Sequence, residues 1–122
     1  MARTFKTKGF ARAARKARIT DIELCRVIAK AISGQCVDLG GGVMKARLNN
    51  NQHRSIILMK GGEHWIYEFL FAKKNQANIA EDELTAFKML ADGYATSDVQ
   101  ALIDDGHLTE ICQKDEDDDE TK

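Results

Sequence analysis

The spacing of the apolar residues changes twice along this chain, and this change constrains the fold more than any other feature. In the first third, apolar side chains recur every three to four residues, the period of an α-helix that packs on one face. Between residues 43 and 72 they alternate or form short continuous runs, which is typical of β-strands. The helical period then returns. The sequence therefore predicts an α+β domain with helices packed on a small antiparallel sheet.

Two helices joined by a tight turn are predicted before Gly34. The first spans Phe5–Ala17 and has an apolar face of alanines and phenylalanine. Three cations lie largely off that face: Arg12, Arg15 and Lys16. The second helix begins after Thr20, which forms a capping box with Glu23 three residues later. We expect this N-terminal helical hairpin to cover one face of the sheet.

Three consecutive glycines at positions 40–42 precede a short alternating strand, and their spacing excludes a phosphate-binding P-loop. A P-loop ends in Gly-Lys-Ser/Thr, whereas Lys45 follows Val-Met and precedes alanine. We instead expect a turn or bulge at the start of the strand Val43–Leu48, because positive φ costs glycine little. The period of two places Lys45 and Arg47 on the same face of this strand, opposite its apolar face.

Two further strands and a C-terminal helix are predicted after the polar turn that follows. Residues 54–60 are apolar on both faces, which indicates a central strand, and residues 64–72 return after the hairpin signal Gly61-Gly62. Asn78 is placed to cap the C-terminal helix, and Ser97 is placed to cap a shorter one. The three strands form an antiparallel meander.

Charge divides the chain into a basic and an acidic part. Residues 1–74 hold fifteen Lys/Arg against five Asp/Glu, a net charge of +10, whereas residues 75–122 hold three against fourteen, a net charge of −11. A basic surface of this kind favours a polyanionic partner such as RNA. The organisation predicted is a single domain at residues 1–112, followed by a disordered acidic tail at residues 113–122.

Composition also disfavours several classes of protein. No run of about eighteen apolar residues is present, and residues 1–16 lack the apolar core of a signal peptide, so we expect a soluble cytoplasmic protein without a membrane partner. The three cysteines, Cys25, Cys36 and Cys112, are expected to be free thiols, because their number is odd and none form a Cys-x-x-Cys pair. No metal site and no cofactor are expected, since histidines and carboxylates are not clustered.

Four segments, in this order, resemble the RelE/HigB-type toxins of bacterial type II toxin–antitoxin modules. They are RTFKTKGFARAARKARITDIELC, DLGGGVMKARL, RSIIL and FLFAKKNQANIAEDEL, and the resemblance extends to about Tyr94. It implies a compact fold with a helical hairpin against an antiparallel sheet. It also implies an endoribonuclease that cuts mRNA, usually on the ribosome. A cognate antitoxin with a helix-turn-helix DNA-binding domain is expected to neutralise it.

The resemblance also implies roles for individual residues. Four cations match positions that act in cleavage: Lys45, Arg47, Arg54 and Lys73. Six further residues are predicted to bind RNA: Arg12, Arg15, Lys16, His53, Lys74 and Asn75. Fixed cations can stabilise the charge that develops when a ribose 2′-OH attacks its own phosphate, and no metal is needed for this. The proton-transfer groups stay open among Lys45, Lys73, His53, His64 and Tyr67.

Two alternative functions remain at this stage. A ParE-like toxin of the same shape inhibits DNA gyrase by binding it and cuts nothing, and the fold alone does not separate the two actions. Cations concentrated on the strands favour the nuclease. A nonenzymatic RNA-binding module is disfavoured, because no aromatic platform is interleaved with the basic residues.

Overall fold

The computed structural model describes residues 2–60, 63–76 and 78–113, and it contains ten helices and strands in these ranges. In chain order they are β1 (Arg3–Thr7), α1 (Lys8–Ala17), α2 (Asp21–Ile32), β2 (Val37–Gly40), β3 (Val43–Leu48), β4 (His53–Lys60), β5 (His64–Ala72), α3 (Glu81–Ala95), α4 (Val99–Asp104) and β6 (Leu108–Ile111). The predicted hairpin residues Gly61-Gly62 lie outside the described ranges, as does the predicted acidic tail beyond Gln113.

The strands form one mixed sheet in the order β2-β3-β4-β5-β1-β6. The meander β3-β4-β5 is antiparallel, so this part of the prediction is confirmed. The prediction of a wholly antiparallel sheet behind an N-terminal hairpin is wrong, because the chain starts with β1, which pairs parallel to β5. Strand β6 closes the edge as an antiparallel partner of β1.

The first helix starts later than the sequence suggests. Thr4 and Phe5 are buried in β1, and α1 begins only at Lys8, after the Thr7 hydroxyl caps it by accepting from the Phe10 amide at 3.0 Å. The segment has too few apolar residues for its strand period to show in the sequence. Its strand conformation depends instead on pairing with β5 and β6, which come more than fifty residues later.

The sheet separates two hydrophobic cores. On one face α1 and α2 pack against β5 and β3, as predicted for the helical hairpin. Their core contains Phe10, Leu24, Met44, Ile57 and Tyr67, among others. On the other face α3 packs on β3 and β4, in a core that contains Phe5, Val43, Ile56, Ala91 and Val99, among others. A rigid sheet covered on both faces therefore positions the side chains of β3 and β4.

Helix caps are only partly as predicted. The Thr20 hydroxyl accepts from the Glu23 amide at 3.2 Å, which confirms the start of α2. Asn78 does not cap α3, because that helix begins at Glu81 and the amide of its N-cap residue, Ala80, donates to Glu83 Oε1 at 2.8 Å. The short helix α4 is capped by Asp98 and not by Ser97.

The expectation of three free thiols is wrong. Cys25 and Cys112 form a disulfide, which joins α2 to the residue that follows β6, and Cys36 is free. The partners are 87 positions apart, and only the folded sheet brings them together. Among the residues described, no helix is both long and apolar enough to cross a membrane.

Candidate functional site

Three cations from neighbouring strands meet on the α3 side of the sheet. Arg47 on β3 is directly opposite Arg54 on β4, so both side chains are on the same face. Lys45 is two residues before Arg47 and therefore shares this face. The three side chains, together with Val37, Ala46 and Asn78, line a cavity of about 240 Å³. The period-two spacing of the sequence thus predicted where Lys45 and Arg47 lie relative to each other.

The glycines form the turn from which β3 starts. Gly40, Gly41 and Gly42 have φ angles of 87°, 61° and 82°, and the β2–β3 pairing shifts register between Asp38 and Gly40. A Cβ atom at Gly41 would lie 2.8 Å from Cγ of Lys88 on α3. The predicted turn with a bulge is confirmed. The turn packs closely under α3, so side chains are excluded from it.

Local contacts hold two of the three cations. Arg54 is 8% exposed, and its Nη1 donates to the carbonyl oxygens of Asn51 and His53 at 3.0 and 3.2 Å. Lys45 is half-buried, and its Nζ donates to Asn78 Oδ1 at 2.8 Å. Arg47 is exposed. In the described part of the chain, no Asp or Glu forms an ion pair with any of the three, so their positive charge is available to an anion.

Asn78 is a site residue that the sequence analysis assigned to another role. It is 33 positions from Lys45 and was predicted to cap a helix. Its amide side chain instead bonds to the Lys45 ammonium, and the backbone carbonyl of Asn78 accepts from Gln76 Nε2 at 3.0 Å. No local pattern identifies such a contact, because it exists only when the segment before α3 returns over β3.

Lys73 does not line the cavity of the other three predicted catalytic residues. It lines a separate cavity of about 590 Å³ at the ends of β4 and β5, with Lys74 and His53. Its backbone amide donates to the Gln52 carbonyl at 2.9 Å. The predicted four-residue catalytic set is therefore divided into a group on one face of the sheet and a lysine at the end of the sheet.

The predicted RNA-binding residues extend from this end of the sheet towards α1. A cleft of about 430 Å³ is lined by His53, Lys16 and Asn75, among others. His53 lines both this cleft and the cavity of Lys73 and Lys74. Arg12 and Arg15 are exposed on α1 and do not line either cavity. The residues of the two cavities thus form a basic surface that includes His53, and Arg12 and Arg15 lie outside it.

Two of the open proton-transfer candidates, Tyr67 and His64, line neither of these cavities. The Tyr67 hydroxyl is buried and donates to the Leu24 carbonyl at 2.7 Å, and burial raises the pKa of Tyr67 far above its ordinary value. His64 begins β5, whereas the cavity of Lys73 lies at the other end of that strand. His53 borders the basic surface, and its Nδ1 lies 3.2 Å from Asn49 Nδ2. Tyr67 therefore has a structural role in the core.

No group of three His, Cys, Asp or Glu side chains in residues 2–60, 63–76 and 78–113 is placed to hold a metal ion. The charged side chains that line the Lys45 cavity are one ammonium and two guanidinium groups. Such groups bind phosphate oxygens by charge-assisted hydrogen bonds, and arginine can do so with two parallel bonds.

Comparison with known proteins gives one family. Residues 2–111 match the family described as "RelE toxin of RelE / RelB toxin-antitoxin system". Neither a curated protein nor a solved structure was found to match the chain. The matched range runs from the residue before β1 to the last residue of β6, and it includes the cations of β3 and β4. The chain therefore belongs to the RelE toxin family, whose members act within toxin–antitoxin systems.

Proposed function

We propose that this toxin is a ribosome-dependent endoribonuclease that cuts mRNA by a metal-independent attack of the ribose 2′-OH on the adjacent phosphodiester. The observation that supports this most strongly is the convergence of Lys45, Arg47 and Arg54 on one cavity, with no carboxylate paired to them among the described residues. A scissile phosphate has the complementary charge and the oxygen atoms that these donors bind.

The reaction follows from the charge that each step creates. The 2′-oxygen forms a bond to phosphorus while the bond to the 5′-oxygen breaks, giving a 2′,3′-cyclic phosphate and a 5′-hydroxyl. Negative charge accumulates on the phosphoryl oxygens and on the leaving oxygen, where fixed cations stabilise it. Arg47 and Arg54 bind the phosphoryl oxygens in this proposal, and Lys45 donates a proton to the leaving oxygen. Lys73 or His53, which line the cavity at the ends of β4 and β5, accepts the proton of the 2′-OH.

The second group of basic residues includes the proposed base and also binds the nucleotides that flank the scissile phosphate. Lys73, Lys74 and His53 surround one cavity, and Lys16 and Asn75 border the adjoining cleft. Contacts with phosphates release counterions and make the affinity depend on salt. Arg12 and Arg15 on the outer face of α1 extend the same surface towards the ribosome.

The family implies a cognate antitoxin. We propose that this antitoxin carries a helix-turn-helix DNA-binding domain and that it covers or distorts the surface of Lys45 and Arg47. An occupied cavity leaves no space for a phosphate, so co-expression with the antitoxin is expected to relieve growth arrest. The proposed location is the cytoplasm, because the ribosomal substrate is there.

The test is to incubate the purified toxin with translating ribosomes and to map the ends of the mRNA. Cuts within the coding sequence that leave 5′-hydroxyl ends are expected. Intact mRNA would contradict the proposal. If the toxin left mRNA intact and inhibited supercoiling by DNA gyrase, the ParE-like alternative would be supported instead.

A further inference from the structure

We propose that Glu23 and the turn Asn49–Asn51 are positioning residues for Arg54, and that they hold its guanidinium in the orientation that a phosphate requires. This inference rests on the proposed function. It concerns a carboxylate on α2 and the backbone of a loop between β3 and β4, of which Asn51 also lines the cavity of Lys73 and Lys74.

The turn has an unusual backbone. Asn49, Asn50 and Asn51 have φ angles of 54°, 53° and 72°, so three consecutive residues with side chains are in the left-handed region. This region costs most L-residues about 1–2 kcal/mol each, and asparagine is among the residues that tolerate it best. Such conformations persist when surrounding contacts fix them, and they are concentrated at functional sites.

The turn and the strand after it bind the Arg54 side chain directly. The Nη1 atom donates to the carbonyl oxygen of Asn51 at 3.0 Å and to that of His53 at 3.2 Å. A guanidinium is planar, so two bonds to one of its nitrogens orient the other donors as well. A change in the conformation of the turn therefore rotates the donors that would face the phosphate beside Arg47.

Glu23 fixes the turn at its first residue. The side chain of Glu23 accepts a hydrogen bond from the backbone amide of Asn49. Glu23 is itself held in place, because its amide donates to the Thr20 hydroxyl and the next residue, Leu24, accepts from the Tyr67 hydroxyl at 2.7 Å. The contacts thus run from the buried Tyr67 through α2 to the turn, and from the turn to Arg54.

The experiment compares single-turnover cleavage by Glu23→Ala, Glu23→Gln and Asp21→Ala on translating ribosomes. Asp21 is the matched control, since it is also an acidic residue in the first turn of α2 but bonds to Lys6 Nζ at 2.7 Å instead. We expect Glu23→Ala to lower the maximal rate by about 10- to 100-fold, which is the loss typical of a displaced catalytic group. The ribosome concentration that gives half of the maximal rate should change little. Glu23→Gln keeps an acceptor oxygen and should restore most of the rate.

A double-mutant cycle separates positioning from a general effect on the fold. In an Arg54→Ala background, Glu23→Ala should reduce the rate no further, because the group that it positions is absent. An equal further loss in that background would overturn the inference, and so would a folded Glu23→Ala protein that cuts at the rate of wild type. If wild type itself cut no RNA, the proposed function would be contradicted, and the positioning role that rests on it would be contradicted too.

A second pair of variants tests the turn if Glu23→Ala does not fold. Asn50 is exposed and has a φ angle of 53°. Asn50→Gly and Asn50→Val both remove its amide side chain, but only glycine accepts positive φ without strain. The glycine variant should keep the rate within about threefold, whereas the valine variant should lose about 10- to 100-fold through displacement of Arg54. Equal rates for the two variants would show that the backbone of the turn does not position Arg54.

Discussion

Removing the charge of Arg47 is the sharpest test of the proposed site. Arg47 is exposed on β3 and directly opposite Arg54, so its guanidinium lies where a phosphate would bridge the two side chains. Loss of one transition-state donor typically costs about 10²- to 10³-fold in rate, which is about 2.7–4 kcal/mol. We expect Arg47→Ala to lose cleavage by this factor, and Lys45→Ala to lose a similar amount.

Stability should fall by no more than about 1 kcal/mol in these two variants. Arg47 is on the surface, where substitutions usually alter the free energy of unfolding by less than about 0.5 kcal/mol. Lys45→Ala loses its hydrogen bond to Asn78, a contact worth about 1 kcal/mol. Ala46→Asp should behave oppositely, because Ala46 is 7% exposed in the core beneath α1 and α2. A carboxylate buried there without a partner costs at least about 3 kcal/mol and should unfold much of the protein.

The assay pairs single-turnover cleavage on translating ribosomes with urea unfolding of each variant. Arg26→Ala is the control, because Arg26 is an exposed arginine on α2 that does not line the cavity of Lys45 and Arg47. Full activity in both Arg47→Ala and Lys45→Ala would refute the assigned site. A loss of rate that followed a loss of stability would also refute it, since the side chains would then act on the fold. Growth arrest without cleavage would support gyrase binding.

Three further predictions concern stability. The disulfide between Cys25 and Cys112 closes a long loop, so Cys25→Ser is expected to lower the free energy of unfolding by about 2–4 kcal/mol. This prediction would be contradicted if a reductant did not change the urea unfolding of wild type. Burial raises the pKa of Glu68, so the folded protein binds this proton more tightly than the unfolded protein does. The free energy of unfolding therefore falls as pH rises from the ordinary pKa to the raised one, where the buried carboxyl becomes charged. Glu68→Gln should therefore be more stable than wild type at neutral pH, and this difference should disappear in titrations below the ordinary pKa of 4.5. Gly41→Ala should lower the free energy of unfolding by about 1–2 kcal/mol, because Gly41 has positive φ and the new Cβ would clash with the Lys88 side chain. Gly9→Ala in α1 is the control, because a Cβ there has no atom within 4 Å, and it should not destabilise the protein.

The elements that the sequence predicted well are those with strong local signals. The alternation in β3, the apolar run of β4 and the Thr20 cap of α2 each depend on residues that are close in sequence. Strand β1 has no such signal, since its partners Trp65 and Ile111 are 61 and 107 positions from Thr4. The disulfide is a similar case, because an odd number of cysteines with wide spacing gives no pairing.

In the candidate site too, the sequence predicted local relations between residues but not the contacts between distant segments. A period of two predicted that Lys45 and Arg47 share a face, and an antiparallel neighbour beginning near Arg54 is consistent with the cross-strand pair that the structure contains. The predicted end of β5 at residue 72 is confirmed, but the separation of Lys73 from these residues depends on the tertiary fold, because Lys73 lines a cavity at the end of the sheet and not the one on its face. The side-chain contacts of Asn78 with Lys45 and of Glu23 with the Asn49 amide are tertiary, so no local pattern predicts them.

The arrangement of Arg47 and Arg54 favours the binding of an anion between them. Like charges directly opposite each other on neighbouring strands destabilise a sheet, and Arg47 and Arg54 are such a pair. The sheet tolerates them because helices pack on both faces and because Arg54 donates hydrogen bonds to the carbonyl oxygens of Asn51 and His53, which fix its guanidinium. A phosphate between the two arginines removes their repulsion, and a carboxylate of the antitoxin would do the same. The features that make these cations suitable for a transition state therefore also make them suitable for inhibition, so RNA and antitoxin should compete for one surface.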